Sequence, residues 1–122
     1  MNESELAQFT ERYVEMWNEP DADRRRTTIE ELWAPNGANY TLSAEAIGYD
    51  ALDTRVTAAY ESYVGSGQYR FRYVEPPVVH HNAMKVQWEM VDQTDDTIAS
   101  IGLEFLVLDT GRIVSDHQFI VR

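Results

Sequence analysis

The chain has 122 residues, no cysteine and a formal net charge of −11 at pH 7. That length fits one domain over residues 1–122, able to bury roughly two-thirds of its unfolded surface without staples. The missing cysteines exclude a disulfide framework and a thiolate metal site, and the acidity disfavours contact with a phosphate backbone.

No apolar run approaches the ~18 residues that a membrane span needs. The opening MNESELAQ has neither the basic nor the apolar part of a secretory signal, so a cytoplasmic location is expected. Leu6, Phe9, Tyr13, Met16 and Trp17 fall on one helical face. Asn2 or Ser4 can cap the start of that helix. Asn18-Glu19-Pro20 stops it, because a proline disfavours helix in the residue before it. Asp21 or Asp23 caps a second, shorter helix that runs to about Trp33, with Ile29, Leu32 and Trp33 as its apolar face. Arg24-Arg25-Arg26, flanked by Asp21, Asp23, Glu30 and Glu31, reads as a solvated face with local ion pairs.

Ala34-Pro35-Asn36-Gly37 reads as a turn and Asn39-Tyr40-Thr41-Leu42 as a short strand. Asp50 opens a third helix, where Asp53 complements the positive dipole end. Leu52, Val56, Ala59, Tyr60 and Tyr63 form its buried stripe, and Gly65-Ser66-Gly67 ends it. The period then becomes two. Tyr69-Arg70-Phe71-Arg72-Tyr73 alternates aromatic and basic, Pro76-Pro77 interrupts, and Val78-Val79-His80-His81 resumes. Met84, Val86, Trp88 and Met90 alternate with Lys85, Gln87 and Glu89, as in a half-buried antiparallel strand. Residues 97–108 form a further strand, Asp109-Thr110-Gly111-Arg112 a tight hairpin, and residues 113–121 the last strand.

Helices followed by a run of antiparallel strands spell an α+β fold with the helices on one face of a sheet. Aromatic side chains bury about 150–250 Å² each, so a few of them let short helices close a curved sheet. They do not pack flush, which leaves a pocket.

Five stretches carry a likeness by their order and spacing. They are Arg12-Tyr13-Val14-Glu15 with Asn18 and Asp21; Leu32-Trp33-Ala34-Pro35-Asn36-Gly37; Gly48-Tyr49-Asp50-Ala51-Leu52; Trp88-Glu89-Met90; and Leu108-Asp109-Thr110-Gly111-Arg112-Ile113. Together they resemble the nuclear transport factor 2-like superfamily over about residues 4–121, and within it the SnoaL-like cyclases and ketosteroid isomerases. The resemblance implies a cone: a curved, mixed or antiparallel sheet closed by three helices around a funnel. It also implies a small, mostly apolar ligand and, in many members, a dimer. Tyr13 stands where the isomerases keep a tyrosine oxyanion donor, Glu104 where they keep a protonated aspartate, and Thr41 where they keep the aspartate base. Gln118 stands where the SnoaL-like cyclases keep an acid/base aspartate; Asp116, two residues earlier, should share its face. Threonine cannot take a carbon-bound proton near neutral pH, so neither family's chemistry carries over intact.

Three readings follow. In the first, Tyr13 and protonated Glu104 polarise a carbonyl and Asp116 shuttles a proton, giving cofactor-free isomerisation, cyclisation or dehydration. Trp17, Trp33, Tyr40, Tyr60, Met84, Val86, Trp88 and Met90 then supply core and pocket wall, and Gln118 a polar tip. The second reading is a binding module without chemistry. The third is a protein-interaction domain whose tryptophans fill its interior. All three turn on one register. If Glu104 faces the hollow, Ile101, Leu103, Phe105 and Val107 face outward and demand a partner, a homodimer through the outer sheet face. A slip of one residue puts Glu104 in water instead. His80 and His81, adjacent on a strand, point to opposite faces and cannot share an ion, and His117 is remote, so no metal is expected. No phosphate loop is present, and neither a cofactor nor nucleic acid is implied.

Overall fold

The computed structural model describes residues Met1–Arg122. Helix α1, Glu3–Met16, opens on a capping box. The Asn2 side chain accepts from the Glu5 amide at 2.8 Å, and the Asn2 amide donates to Glu5 Oε1 at 3.2 Å. Its inner face is Thr10, Tyr13, Val14 and Met16, continued by Trp17 at the C-cap. Helix α2, Ala22–Leu32, is capped by the Asp21 side chain, which accepts from the amides of Asp23 and Arg24. Ile29 and Leu32 are buried as the spacing requires. The arginine run behaves differently at each position. Arg24 is exposed, and Arg26 pairs with Glu30, Asp50 and Asp53. Arg25 is buried: its Nη1 donates to the Glu19 carbonyl at 2.7 Å and its guanidinium lies over the Tyr60 ring. The solvated-face expectation is therefore wrong for Arg25, because α2 packs against the third helix on that side.

Strand β1, Trp33–Tyr40, replaces the turn expected at residues 34–37. From Trp33 opposite Ile113 to Ala38 opposite Ser115, β1 advances five residues while its partner advances two, so the Pro-Asn-Gly stretch is a bulge within the strand. Glycine is required at 37, since a Cβ there would sit 2.6 Å from the Ile113 carbonyl. Thr41 and Leu42 lie beyond the strand. A short β2, Glu45–Ile47, follows, and then α3, Tyr49–Ala59, which runs into a π-helical turn, Tyr60–Val64. Leu52, Val56 and Ala59 are buried as expected, but the wide turn leaves Tyr60 half-buried and Tyr63 exposed.

The sheet is completed by β3, Tyr69–His80; β4, Ala83–Asp92; β5, Ile98–Asp109; and β6, Arg112–Ile120. Its order is β2-β1-β6-β5-β4-β3, antiparallel throughout except for the parallel pair β1 and β6. β3 continues through Pro76-Pro77 with a bulge between Val74 and Val78, where an interruption was expected. The β5–β6 hairpin turns on Thr110 and Gly111, whose φ values of +50° and +80° match the twist of the strands. No helix is long and apolar enough to cross a membrane.

Register decides the faces. Met84, Val86 and Trp88 of β4 and Gly102, Glu104 and Leu106 of β5 face the helices. Ile101, Leu103, Phe105 and Val107 lie on the other side, where Phe105 meets Phe119 edge-on at 5.5 Å. On β6 a further bulge shifts the pairing between Val107 and Leu108, which lets Ile113 and Asp116 both point inward although they are an odd number of positions apart. Gly102 lies directly under the Trp88 indole. A Cβ there would fall 2.1 Å from the ring, so Gly102→Ala must displace Trp88. The expected cost is about 1–3 kcal/mol by urea denaturation, as for other overpacked cores, with a shift in tryptophan fluorescence.

Candidate functional site

Between the helices and the concave sheet face lies a cavity of about 260 Å³. Its walls are mostly apolar, with Val14 and Trp17 from α1, Ala59 from α3, Phe71 from β3 and Met90 from β4. Tyr63 and Ile120, both largely exposed, stand at the rim. The polar groups that reach the lining are Tyr13, Arg55, Ser100, Glu104 and Gln118, together with the Trp88 indole.

At the cavity's inner end the Tyr13 hydroxyl is 2.5 Å from Asp116 Oδ2 and 3.0 Å from Glu104 Oε1. Trp88 Nε1 donates to Glu104 Oε2 at 3.0 Å, and Asn39 Nδ2 donates to Asp116 Oδ2 at 3.0 Å. Asn39 is oriented by Arg55. The Arg55 Nε can only donate, so the oxygen of Asn39 must face it, at 3.3 Å. Glu104 is 1 % exposed and Asp116 0 %, but only Glu104 lines the cavity.

A proton count follows. The phenol has one hydrogen and two carboxyl neighbours. Were both carboxyls ionised, one of them would meet only a lone pair at close range, which is expensive in a buried site. The cluster therefore holds a second proton. Burial pushes Asp116 well above the usual carboxylate range, and the charge of Glu104 beside it pushes further. Burial leaves Glu104 raised too, although its neighbour Asp116, the hydrogen bonds from Trp88 and Tyr13 and the charge of Arg55 act against it. Burial first, and then both carboxylates, hold Tyr13 well above its ordinary value, so it stays a phenol. Asp116 also has one oxygen, Oδ1, without a partner, which favours its neutral form. Two arrangements serve every donor, with the extra proton on either acid; the unpartnered Oδ1 favours a neutral Asp116 donating to Tyr13, and Tyr13 donating to Glu104.

The structure thus brings Tyr13, Glu104 and Asp116 together, and it sets Trp17, Trp88, Met90 and Gln118 in the cavity wall. Five other residues expected in the wall lie elsewhere. Trp33, Met84 and Val86 are fully buried in the core, with Trp33 Nε1 donating to the Ala38 carbonyl. Tyr40 stacks on His117 on the outer sheet face, since its neighbour Asn39 takes the inward position. Tyr60 is covered by Arg25. Thr41 is tied to Ala44 past the end of β1 and does not line the cavity. The argument that kept His80 and His81 apart also fails. β3 ends at His80, His81 sits in the turn at φ +53°, and their Nδ1 atoms are 3.2 Å apart. No third ligand joins them, and no group of three or more His, Asp or Glu side chains is placed to hold an ion. Sequence reasoning missed Arg55 and Asn39. Arg55 carried a signal: it is three residues after Leu52 and four before Ala59, on the edge of the buried stripe.

No family model and no curated protein matches the chain. Solved structures do. A candidate isomerase of the SnoaL-like family from Agrobacterium tumefaciens is 25% identical, with a TM-score of 0.86 over 98% of this chain and 99% of that one. A candidate polyketide cyclase from Sinorhizobium meliloti is 16% identical, with a TM-score of 0.72 over 98% and 100%. A protein of ketosteroid isomerase-like fold from Catenulispora acidiphila, solved with trimethylamine, is 10% identical, with a TM-score of 0.67 over 92% and 84%.

The raised Asp116 gives a signed prediction. Its folded value lies above its unfolded one, so its contribution to stability is full below about pH 4 and is lost as pH rises through the folded value. Asp116→Asn keeps the shape without the titration. In denaturant titrations across pH, the variant should lose less stability than the wild type as pH is raised from 4 to 8 (an approximate range set by the ordinary carboxylate value and neutrality).

Proposed function

We propose that this member of the nuclear transport factor 2-like superfamily, a single domain over residues 1–122, is a small-molecule-binding protein of the SnoaL-like kind that transfers a proton at carbon beside a carbonyl, without a cofactor. The observation that carries the reading is the shared Tyr13 hydroxyl, 2.5 Å from Asp116 and 3.0 Å from Glu104, with only Glu104 in the cavity lining. One acidic proton and one negative charge side by side are the two halves of general acid–base chemistry. The geometry favours the reverse of the roles expected from sequence: Glu104 is the base and Asp116 the protonated partner.

In this reading Glu104 takes a proton from the substrate carbon. The C–H electron pair enters the new C=C bond, and negative charge develops on the carbonyl oxygen. Gln118 pairs directly opposite Glu104 in the sheet and has no intramolecular side-chain partner, so its amide is in position to donate to that oxygen. Donors of this kind are typically worth about 3–4 kcal/mol each. Return of the proton from Glu104 to another carbon completes an isomerisation; its transfer to a departing β-hydroxyl, which leaves as water, completes a dehydration. The apolar wall suits an apolar carbonyl compound. The exposed Phe105 and Phe119 on the outer sheet face support a homodimer through that face.

A panel of small ketones, β-keto esters and oxo acids in D₂O tests the chemistry by exchange of α-hydrogens, followed by NMR. Exchange is expected for at least one member and should fall by about 10²–10⁴-fold in Glu104→Gln. Trp88→Phe removes a donor that holds Glu104 down, so the Glu104 titration should move upward. An ordinary Glu104 titration with no exchange anywhere in the panel would leave a binding module without chemistry. Phe105→Glu with Phe119→Lys should turn a sedimenting dimer into a monomer.

A further inference from the structure

Arg55 is the only basic side chain in the cavity lining. Its Nε is occupied by Asn39, and its guanidinium carbon lies 5.3 Å from the centre of the Trp17 ring. The two terminal nitrogens have no hydrogen-bond partner in the chain, and no carboxylate pairs with them, whereas Arg12, Arg26, Arg70 and Arg72 all form ion pairs. With 21 acidic side chains against 10 basic ones, carboxylates are plentiful. Arg24, Arg112 and Arg122 also lack ion pairs but are exposed, and buried Arg25 donates to the Glu19 carbonyl, so the half-buried, unpaired fork of Arg55 stands out.

We propose that Arg55 anchors a carboxylate, so that the ligand of this cavity is a small organic acid. The proposal rests on the proton-transfer reading only for which way the ligand's carbonyl points; acid binding itself does not need it. A guanidinium offers two parallel N–H groups that match the two oxygens of a carboxylate. Trp17 holds the plane of the fork and Asn39 fixes its inner nitrogen, so little side-chain freedom remains to be lost on binding. The other walls, Val14, Phe71 and Met90, take an apolar body. A volume of about 260 Å³ suits one ring with a short chain. Aromatic walls alone would suit a quaternary amine equally well. Arg55 already lies over Trp17 and repels such a cation. Glu104 works against the acid through its own charge, so the bound anion pushes it toward its protonated form.

The test uses phenylacetate, with phenylacetamide and benzyltrimethylammonium as neutral and cationic counterparts, titrated into ¹⁵N-labelled protein while the indole N–H signals of Trp17 and Trp88 are followed. Phenylacetate should bind at least about tenfold more tightly than the amide, the scale of one charge-assisted hydrogen bond. Arg55→Gln should abolish that preference and keep the amide's affinity. Arg55→Lys, which keeps the charge without the fork, should fall between. Glu104→Gln should tighten the acid. Equal or better binding of the amide or the cation overturns the proposal. So does a preference that survives Arg55→Gln, or an absence of indole shifts with millimolar phenylacetate. Acid binding through Arg55 in a protein that exchanges no α-hydrogen removes the catalytic reading and leaves this one standing.

Discussion

A phenol has one hydrogen to give, and Tyr13 stands between two carboxyl groups. Everything around it follows from that shortage. Glu104 and Asp116 are close because β5 and β6 are neighbours in register, with Glu104 opposite Gln118 and Leu106 opposite Asp116, so the two acids are diagonal on one face. Tyr13 reaches both because the stripe of α1 lays it on that same face. The helix, the hairpin and the proton count are thus one arrangement. Moving α1 away would leave two buried acids with no common donor.

Burying two carboxyls is costly, and most of the nearby structure limits that cost. Trp88 supplies an N–H to Glu104, and its ring fits only because residue 102 has no side chain. Asn39 supplies an N–H to Asp116 and is held in the useful orientation by Arg55. Arg55 itself lies on Trp17. The chain of contacts runs from the third helix through β1 to the hairpin and back to the first helix. It leaves one oxygen of Asp116 unserved, and that residue remains the weak point of the cluster.

Much of this was legible in the residues. Periodicity found α1, α2 and α3, the caps at Asn2 and Asp21, and the hairpin at Thr110-Gly111. The α+β order and the superfamily were readable from spacing, and the solved relatives share that fold. The register of β5 was the open question, because Glu104 among Ile101, Leu103, Phe105 and Leu106 fits either face until pairing fixes it. What escaped was of another kind. Alternation cannot foresee the bulges in β1 and β3, because the Pro-Asn-Gly and Pro-Pro stretches within them read equally as turns or breaks. Nor can it separate core from cavity wall. Val86 and Trp88 share a strand face, yet Val86 is fully buried in the core and only Trp88 lines the cavity. Arg25 was read as an ordinary surface charge and Arg55 was not singled out, because composition treats arginine as surface, whereas a guanidinium also packs over aromatic rings.

The resemblance implies carboxylate positions at Thr41 and Gln118, and taken alone these two residues argue against chemistry. Position is a weaker guide than environment. A base needs to reach the substrate, be ionised when it does so, and have its charge offset without being quenched. Thr41 is outside the cavity, so its identity decides nothing about what happens within. Glu104 reaches the lining, takes two hydrogen bonds, and feels Arg55 without forming an ion pair with it. Asp116 keeps the proton that would otherwise make a second charge intolerable. The burial that makes the pair a liability to folding as pH rises is also what the proposed chemistry draws on. A fold selected for stability alone would have replaced both acids with apolar side chains of similar size. Their presence, oriented and with one oxygen unserved beside an open cavity, is the physical case for the proposed proton-handling site.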